Sequence, residues 1–213
     1  MMQTRTATFA LLAVTLCQLS CGSDPAGPSG PSSEEQILNE YFTDQPDVPN
    51  AHHRWHGKPA GESYGQAFLQ FHRDFVAAYD DWRVAHGYEP VAAWDPATPI
   101  PGADAHPGRS SDYPASIDPL CKKPAWLTRE GGTDSERDPV FGARRLADYT
   151  SANQLGEAID SKYALTWHNR VHQTIGGDMA DQMRVPYDPI FWPWHRYIDN
   201  IWKDYDAAVA ELE

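Results

Sequence analysis

The strongest constraint in this chain is a phrase that occurs twice. Phe68-Leu69-Gln70-Phe71-His72-Arg73 is echoed in the second half by Phe191-Trp192-Pro193-Trp194-His195-Arg196. Each copy sets a histidine behind an aromatic-rich stretch and in front of an arginine. Further histidines stand upstream of each: His52, His53 and His56 before the first, His168 and His172 before the second. His168 and His172 lie four residues apart in a helical pattern, so both imidazoles leave one helix face a turn apart and can share one metal ion. His52 and His56 repeat that spacing. The sequence therefore predicts two groups of histidines that build a pseudo-symmetric dinuclear site on helices packed around a shared centre, where bundles commonly place such sites. In the first group His52 is preferred to His53, because His52 shares a helical face with His56.

The absent motifs narrow the metal. Carboxylate-bridged di-iron bundles need Glu-x-x-His, which does not occur here. Zinc protease signatures need His-Glu-x-x-His, but His53 follows His52 and Asn169 follows His168. A blue-copper centre needs a cysteine ligand, and Cys121 sits beside Lys122, Lys123 and Pro124 with no histidine near it in sequence. All-imidazole coordination suits copper in both oxidation states, and copper leads the divalent affinity series. Two copper ions are the expected cofactor. His86 and His106 have no partner at ligand spacing and read as ordinary polar residues, while Trp192, Trp194 and Trp202 read as core.

Around these motifs the chain is mainly helical. Glu34 and Glu35 open a short apolar run behind a candidate N-cap, Ser33. Over 64–84 the apolar residues Phe68, Phe71, Phe75, Ala78, Tyr79 and Trp82 recur near the helical period, with Gly87 as terminator. Helical pattern returns at 141–149, at 163–175 before Gly176-Gly177, and from Pro189 to the C-terminus. Residues 89–139 are rich in Pro, Gly, Asp and Ser and predict an irregular surface excursion. The expected fold is mainly α, a helical bundle around a dinuclear copper site with long irregular loops. With 213 residues, 41% of them apolar, the chain can bury one sizeable core. A formal charge of -13 makes nucleic acid an unsuitable partner.

The N-terminus reads as an export signal, residues 1–20, with Arg5 followed by an apolar stretch from Phe9 to Leu16. That stretch is too short to span a membrane. Leu19-Ser20-Cys21-Gly22 resembles a bacterial lipoprotein processing site, which implies a lipid anchor on Cys21 as the sole membrane contact; the alternative is a freely secreted, periplasmic or extracellular protein. Residues 21–33, mostly Gly, Pro, Ser, Asp and Ala, predict a flexible tether before a folded domain at 34–213.

His168-Asn169-Arg170-Val171-His172, Gly176-Gly177, Asp188-Pro189-Ile190-Phe191 and His195-Arg196-Tyr197-Ile198-Asp199 together resemble the second copper half of the tyrosinase family. Residues 68–73 resemble the phrase that closes the first half, and Ala93-Trp94-Asp95 the aspartate-bearing turn after it. The resemblance implies that His168, His172 and His195 hold one copper, and that His72 and His56 hold the other with His52 or His53. It implies dioxygen as co-substrate and a small phenolic or catecholic substrate, hydroxylated at the ortho position or oxidised to an o-quinone. Rival readings are a catechol or aminophenol oxidase without hydroxylase activity and a non-catalytic dioxygen- or copper-binding protein. Asn169 would help a held water deprotonate the phenol, with Asp160 or Glu157 as its partner acid. Asp199, one turn beyond His195, would accept the free imidazole N–H, and Phe191 would pack over the second copper or in the core. Loading after export leaves room for a separate copper-donor protein.

Overall fold

The computed structural model describes residues 34–57, 61–100, 121–161 and 165–213. The leader, the lipidation site, the tether and His106 lie outside the described residues. Six α-helices carry the fold, and no strand occurs among the described residues. They are α1 (Glu34–Asp44), α2 (Val48–His56), α3 (Tyr64–Ala85), α4 (Ala152–Ile159), α5 (Trp167–Ile175) and α6 (Phe191–Ala210). The mainly helical class is as the sequence predicts, and the described parts of 89–139, residues 89–100 and 121–139, hold no α-helix or strand.

The two longest helices, α3 and α6, carry the echoed phrases and form the middle of the molecule. On α3 the buried positions Phe68, Leu69, His72, Val76 and Tyr79 follow the three-and-four spacing of one helix face. On α6 Phe191, Trp192, Trp194, His195, Ile198 and Trp202 do the same. Pro193 falls in the first turn of α6, where a missing N–H costs nothing because no intrahelical acceptor precedes it. Beyond α3 the chain turns at Gly87, whose φ of +81° is the left-handed conformation that suits glycine. Trp94 ties the following loop back to α6 by donating its backbone N–H to Pro193 O at 3.0 Å.

Two expectations are corrected. Over 141–149 only a 3-10 turn at Leu146–Asp148 forms. Gly142 takes φ +70°, and Asp138 captures the local donors, accepting from Val140 N at 2.9 Å and Tyr149 Oη at 3.1 Å, so side-chain bonding outcompetes the helix. The helix expected over 163–175 begins at Trp167 among the described residues. Helix α4, in turn, is an addition to the predicted set. Its signal is a short capping motif in which Ser151 Oγ accepts from Gln154 N at 3.2 Å while Gln154 Oε1 accepts from Thr150 N at 3.1 Å.

Helix α4 crosses α3 backbone to backbone. A β-carbon on Gly65 would stand 2.1 Å from Asn153 O and 2.4 Å from Glu157 N, and one on Gly156 would stand 2.0 Å from Gly65 O. Asn153 fastens the crossing with its side chain, accepting from Gln66 N at 3.2 Å and donating to Glu62 O at 3.3 Å. Because the obstacle is backbone rather than a movable side chain, Gly156→Ala should destabilise the fold by at least the ~1–3 kcal/mol typical of overpacking. A thermal melt checks this; a variant as stable as the parent would show that the helices can separate freely.

Candidate metal centre

Six histidines converge in two triads. His52, His56 and His72 form one and His168, His172 and His195 the other, with the ligand atoms of each triad within 4.8 Å of one another. Helix α2 supplies His52 and His56 and α5 supplies His168 and His172, each pair from successive turns. Helices α3 and α6 supply the third members, His72 and His195, whose rings stack at 4.5 Å between centroids and 14° between planes, so the triads are neighbours. His53 belongs to neither triad. It follows His52 directly on α2, and one helical residue turns the side chain by about 100° away from the shared face. His86 stacks on Trp82 at the end of α3 with a ring separation of 4.2 Å, an ordinary structural histidine.

The hydrogen bonds fix which nitrogen faces inward. His72 Nδ1 meets Phe68 O at 2.9 Å, His195 Nδ1 meets Phe191 O at 2.8 Å and His172 Nδ1 meets Met179 O at 2.9 Å. A carbonyl oxygen can only accept, so each Nδ1 carries the proton and each Nε2 presents a lone pair. His168 donates its Nδ1–H to Asp160 Oδ1 at 3.2 Å, with the same result. His168 Nε2 then lies 3.1 Å from His195 Nε2 and 3.0 Å from His172 Nε2. Burial, reinforced by the neighbouring imidazoles, holds His52, His72, His172 and His195 well below the ordinary histidine range, so these rings are neutral. Three converging Nε2 lone pairs repel one another and fit a cation placed among them. In the other triad the buried Nε2 of His72 has no hydrogen-bond partner and is free for the same task. Both donor sets are purely imidazole, which fits copper.

The echoed phrases correspond element by element. Each histidine donates to the carbonyl four residues earlier, Phe68 or Phe191, and each of these phenylalanines packs edge-on against the opposite triad: Phe68 on His168 at 4.9 Å, Phe191 on His52 at 5.1 Å. The arginines cross as well. Arg73 of α3 donates to Asp199 of α6 at 2.5 Å, and Arg196 of α6 pairs with Asp80 of α3. Asp199 also receives Arg196 at 3.0 Å and Lys203 at 2.7 Å, while the Arg73 guanidinium lies 3.5 Å over the Trp202 ring. The expected bond between Asp199 and His195 is therefore replaced: the helix's own carbonyl takes the imidazole proton, and Asp199 holds three cations. Phe191 is completely buried and lies 4.1 Å from the His195 ring, so it is both core and wall of the centre.

Of the two acids considered, Asp160 reaches Asn169 and Glu157 does not. Asp160, the residue that ends α4, accepts from Asn169 Nδ2 at 2.8 Å and from Tyr64 Oη at 2.6 Å as well as from His168. Glu157 faces the glycine crossing and accepts from Asn153 Nδ2 at 3.0 Å. Burial alone would raise the Asp160 carboxyl, but His168 and the hydrogen bonds from His168 and Tyr64 outweigh it and hold it ionised, below its usual range. Tyr64 and the Met179 carbonyl are additions to the expected site. Tyr64 is visible in retrospect as the start of a 64, 68, 72 series on one face of α3, whereas a backbone carbonyl in a 3-10 turn leaves no sequence signal.

Both triads border an open cleft of about 190 Å³, lined by His52, His56, His168 and His172 together with Asn169, Gln173, Met179, Gln182 and Val185. A mainly helical fold holding two adjacent three-histidine sites at a cleft defines a dinuclear metal protein. Residues 95–208 match the model for the common central domain of tyrosinase, and the chain belongs to that family. It is 50% identical to a tyrosinase of Streptomyces glaucescens over 83 residues, 36% of this chain and 29% of that protein. It is 42% identical to tyrosinase-like protein 1 of Margaritifera margaritifera over 99 residues, 46% of this chain and 18% of that one, and 27% identical to hemocyanin II of Limulus polyphemus over 101 residues, 41% and 16%. The matched segments thus span less than a third of these relatives' lengths. No solved structure matches the chain.

The crossed ion pairs carry a stability prediction. Asp199→Asn removes a carboxylate whose side chain is 2% exposed and serves Arg73, Arg196 and Lys203. The loss should be about 2–3 kcal/mol, less than the ~3–5 kcal/mol of a fully buried pair because Arg73 and Lys203 reach solvent. Denaturant titration of the metal-free protein tests it, and an unchanged midpoint would mean the pairs contribute nothing.

Proposed function

We propose that the protein is a type 3 copper oxidase that uses dioxygen to oxidise o-diphenols to o-quinones, with ortho-hydroxylation of monophenols as a companion activity of the same centre. One observation carries this: two all-imidazole triads meet through His72 and His195 and open onto a cleft. His52, His56 and His72 would hold one copper ion, and His168, His172 and His195 the other. Bound there, the copper pair supplies the electron transfer between phenol and dioxygen; in the balanced reaction two o-diphenols and one dioxygen give two o-quinones and two waters.

The chain's own groups orient the substrate. The cleft is smaller than the ~300–1,000 Å³ of pockets for drug-sized ligands, a scale that suits a single-ring phenol. Met179 and Val185 offer apolar wall, and Gln173 and Gln182 offer amides at the rim. Asn169 donates its amide to Asp160 and, at 3.2 Å, to Thr166, which leaves its oxygen to accept from a phenol hydroxyl or from a water that takes the phenol's proton. That placement favours the hydroxylase companion activity. Openness of the cleft favours an oxidase over an oxygen carrier or copper store. The leader motif supports export to the envelope with a lipid anchor on Cys21, and a donor protein for copper there.

The test is to load purified protein with copper and measure metal content, the near-ultraviolet band on adding hydrogen peroxide, and oxygen uptake with catechol and then tyrosine. Two coppers per chain and catechol-dependent uptake are expected, with His195→Ala and His72→Ala each reducing uptake to background. Folded protein that retains no copper would overturn the proposal. Copper without uptake would transfer it to the binding-protein alternative.

A further inference from the structure

We infer that the two triads are unequal copper sites, and that Asp160, braced by Tyr64, makes His168, His172 and His195 the tighter one, filled first and emptied last. The inference rests on the copper reading above and adds an order of loading to it.

The echoed phrases make His72 and His195 equivalents, so any inequality must come from the other four histidines. His168 hydrogen-bonds a carboxylate, Asp160 Oδ1, while His72, His172 and His195 donate to neutral carbonyls. A carboxylate on the far nitrogen makes an imidazole a stronger donor and fixes its tautomer and ring direction. The opposite extreme is His52, whose buried Nδ1 has no hydrogen-bond partner, so packing alone sets its ring. All three members of the His168 triad are buried, whereas His56 in the other triad is half-buried at the cleft, where water competes for the metal.

Asp160 owes its aim to its neighbours. Tyr64 Oη holds Oδ2 at 2.6 Å, which turns Oδ1 toward His168 and Asn169, and Thr166 Oγ1 lies 3.4 Å from the same oxygen. The carboxylate is 2% exposed, so little water screens it from the ring it serves. Its field also reaches His56 and His72, but without a hydrogen bond to either ring. Tyr64 and Asp160 are thus positioning residues for one metal and not for the other.

The experiment titrates anaerobic, histidine-labelled apoprotein with cuprous ion and follows the imidazole resonances by NMR, assigned with His72→Ala and His195→Ala. The His168, His172 and His195 resonances should move over the first equivalent and those of His52, His56 and His72 over the second. Asp160→Asn removes the charge at constant shape and should weaken the first binding step by about 10–100-fold, with the second step little changed; Tyr64→Phe should act in the same direction more weakly. A merely structural role would lower the melting temperature and affect both steps alike. Both sets moving together, the reverse order, or equal weakening of both steps would overturn the inference while leaving the copper assignment intact. No movement at all in the folded protein would overturn both. Should Asp160→Asn fail to fold, the unmodified titration and Tyr64→Phe decide.

Discussion

The structure depends on one crossing, that of α3 and α6, because it must do two things that conflict. It has to bury imidazoles next to each other and keep their lone pairs pointed inward, yet buried polar groups are costly unless every remaining valence is met. The chain resolves this by giving four of the inward histidines, His72, His168, His172 and His195, a donor's duty on the outer side. His72 and His195 use the carbonyl four residues back in their own helix, so the helix that places the ring also orients it. No second element has to be brought up to fix the tautomer.

What remains is to hold the helices at the right separation, and here charge is used where apolar packing would be indifferent to register. Arg73 and Arg196 each reach an acid on the other helix, and the reciprocal pairing admits little sliding because both pairs would break together. Phe68 and Phe191 make the same exchange with their rings, each supporting the opposite triad. Dispersion fills the space; the ion pairs select the alignment. A site held this way is over-determined, as a centre requires if its geometry is to be set before metal arrives.

Much of this was legible in the sequence, for physical reasons that differ from residue to residue. His168 with His172 and His52 with His56 announce themselves because an i, i+4 pair on a helix has only one geometry. The echo of the two phrases reports a shared task, and the structure gives both copies the same carbonyl bond and the same crossed arginine. Asp199 was misread because its spacing from His195 is equally good for accepting from an imidazole and for collecting cations; the choice turns on Arg73, which sequence proximity to α6 cannot reveal. The stretch at 141–149 was misread because apolar spacing is blind to Gly142 in a left-handed conformation and to the donors that Asp138 takes. Asp160 and Glu157 could not be separated by distance along the chain, since that choice is made by the Gly65–Gly156 crossing.

That glycine contact shows how a requirement of backbone approach becomes a property of the metal site. With no β-carbon between them, α3 and α4 close until Tyr64, the first residue of α3, meets Asp160, the residue that ends α4. Asp160 N also bonds Gly156 O at 2.8 Å, so the carboxylate is referred directly to the crossing. A carboxylate at this spot reaches His168 and no other ligand by hydrogen bond. Pseudo-symmetry, strict between His72 and His195, therefore ends where α4 enters, because α2 has no equivalent partner for His52 among the described residues. Two sites related by sequence repetition can differ in chemistry for this reason: the repeat fixes the ligands, while the elements packed outside them decide how strongly each ligand donates.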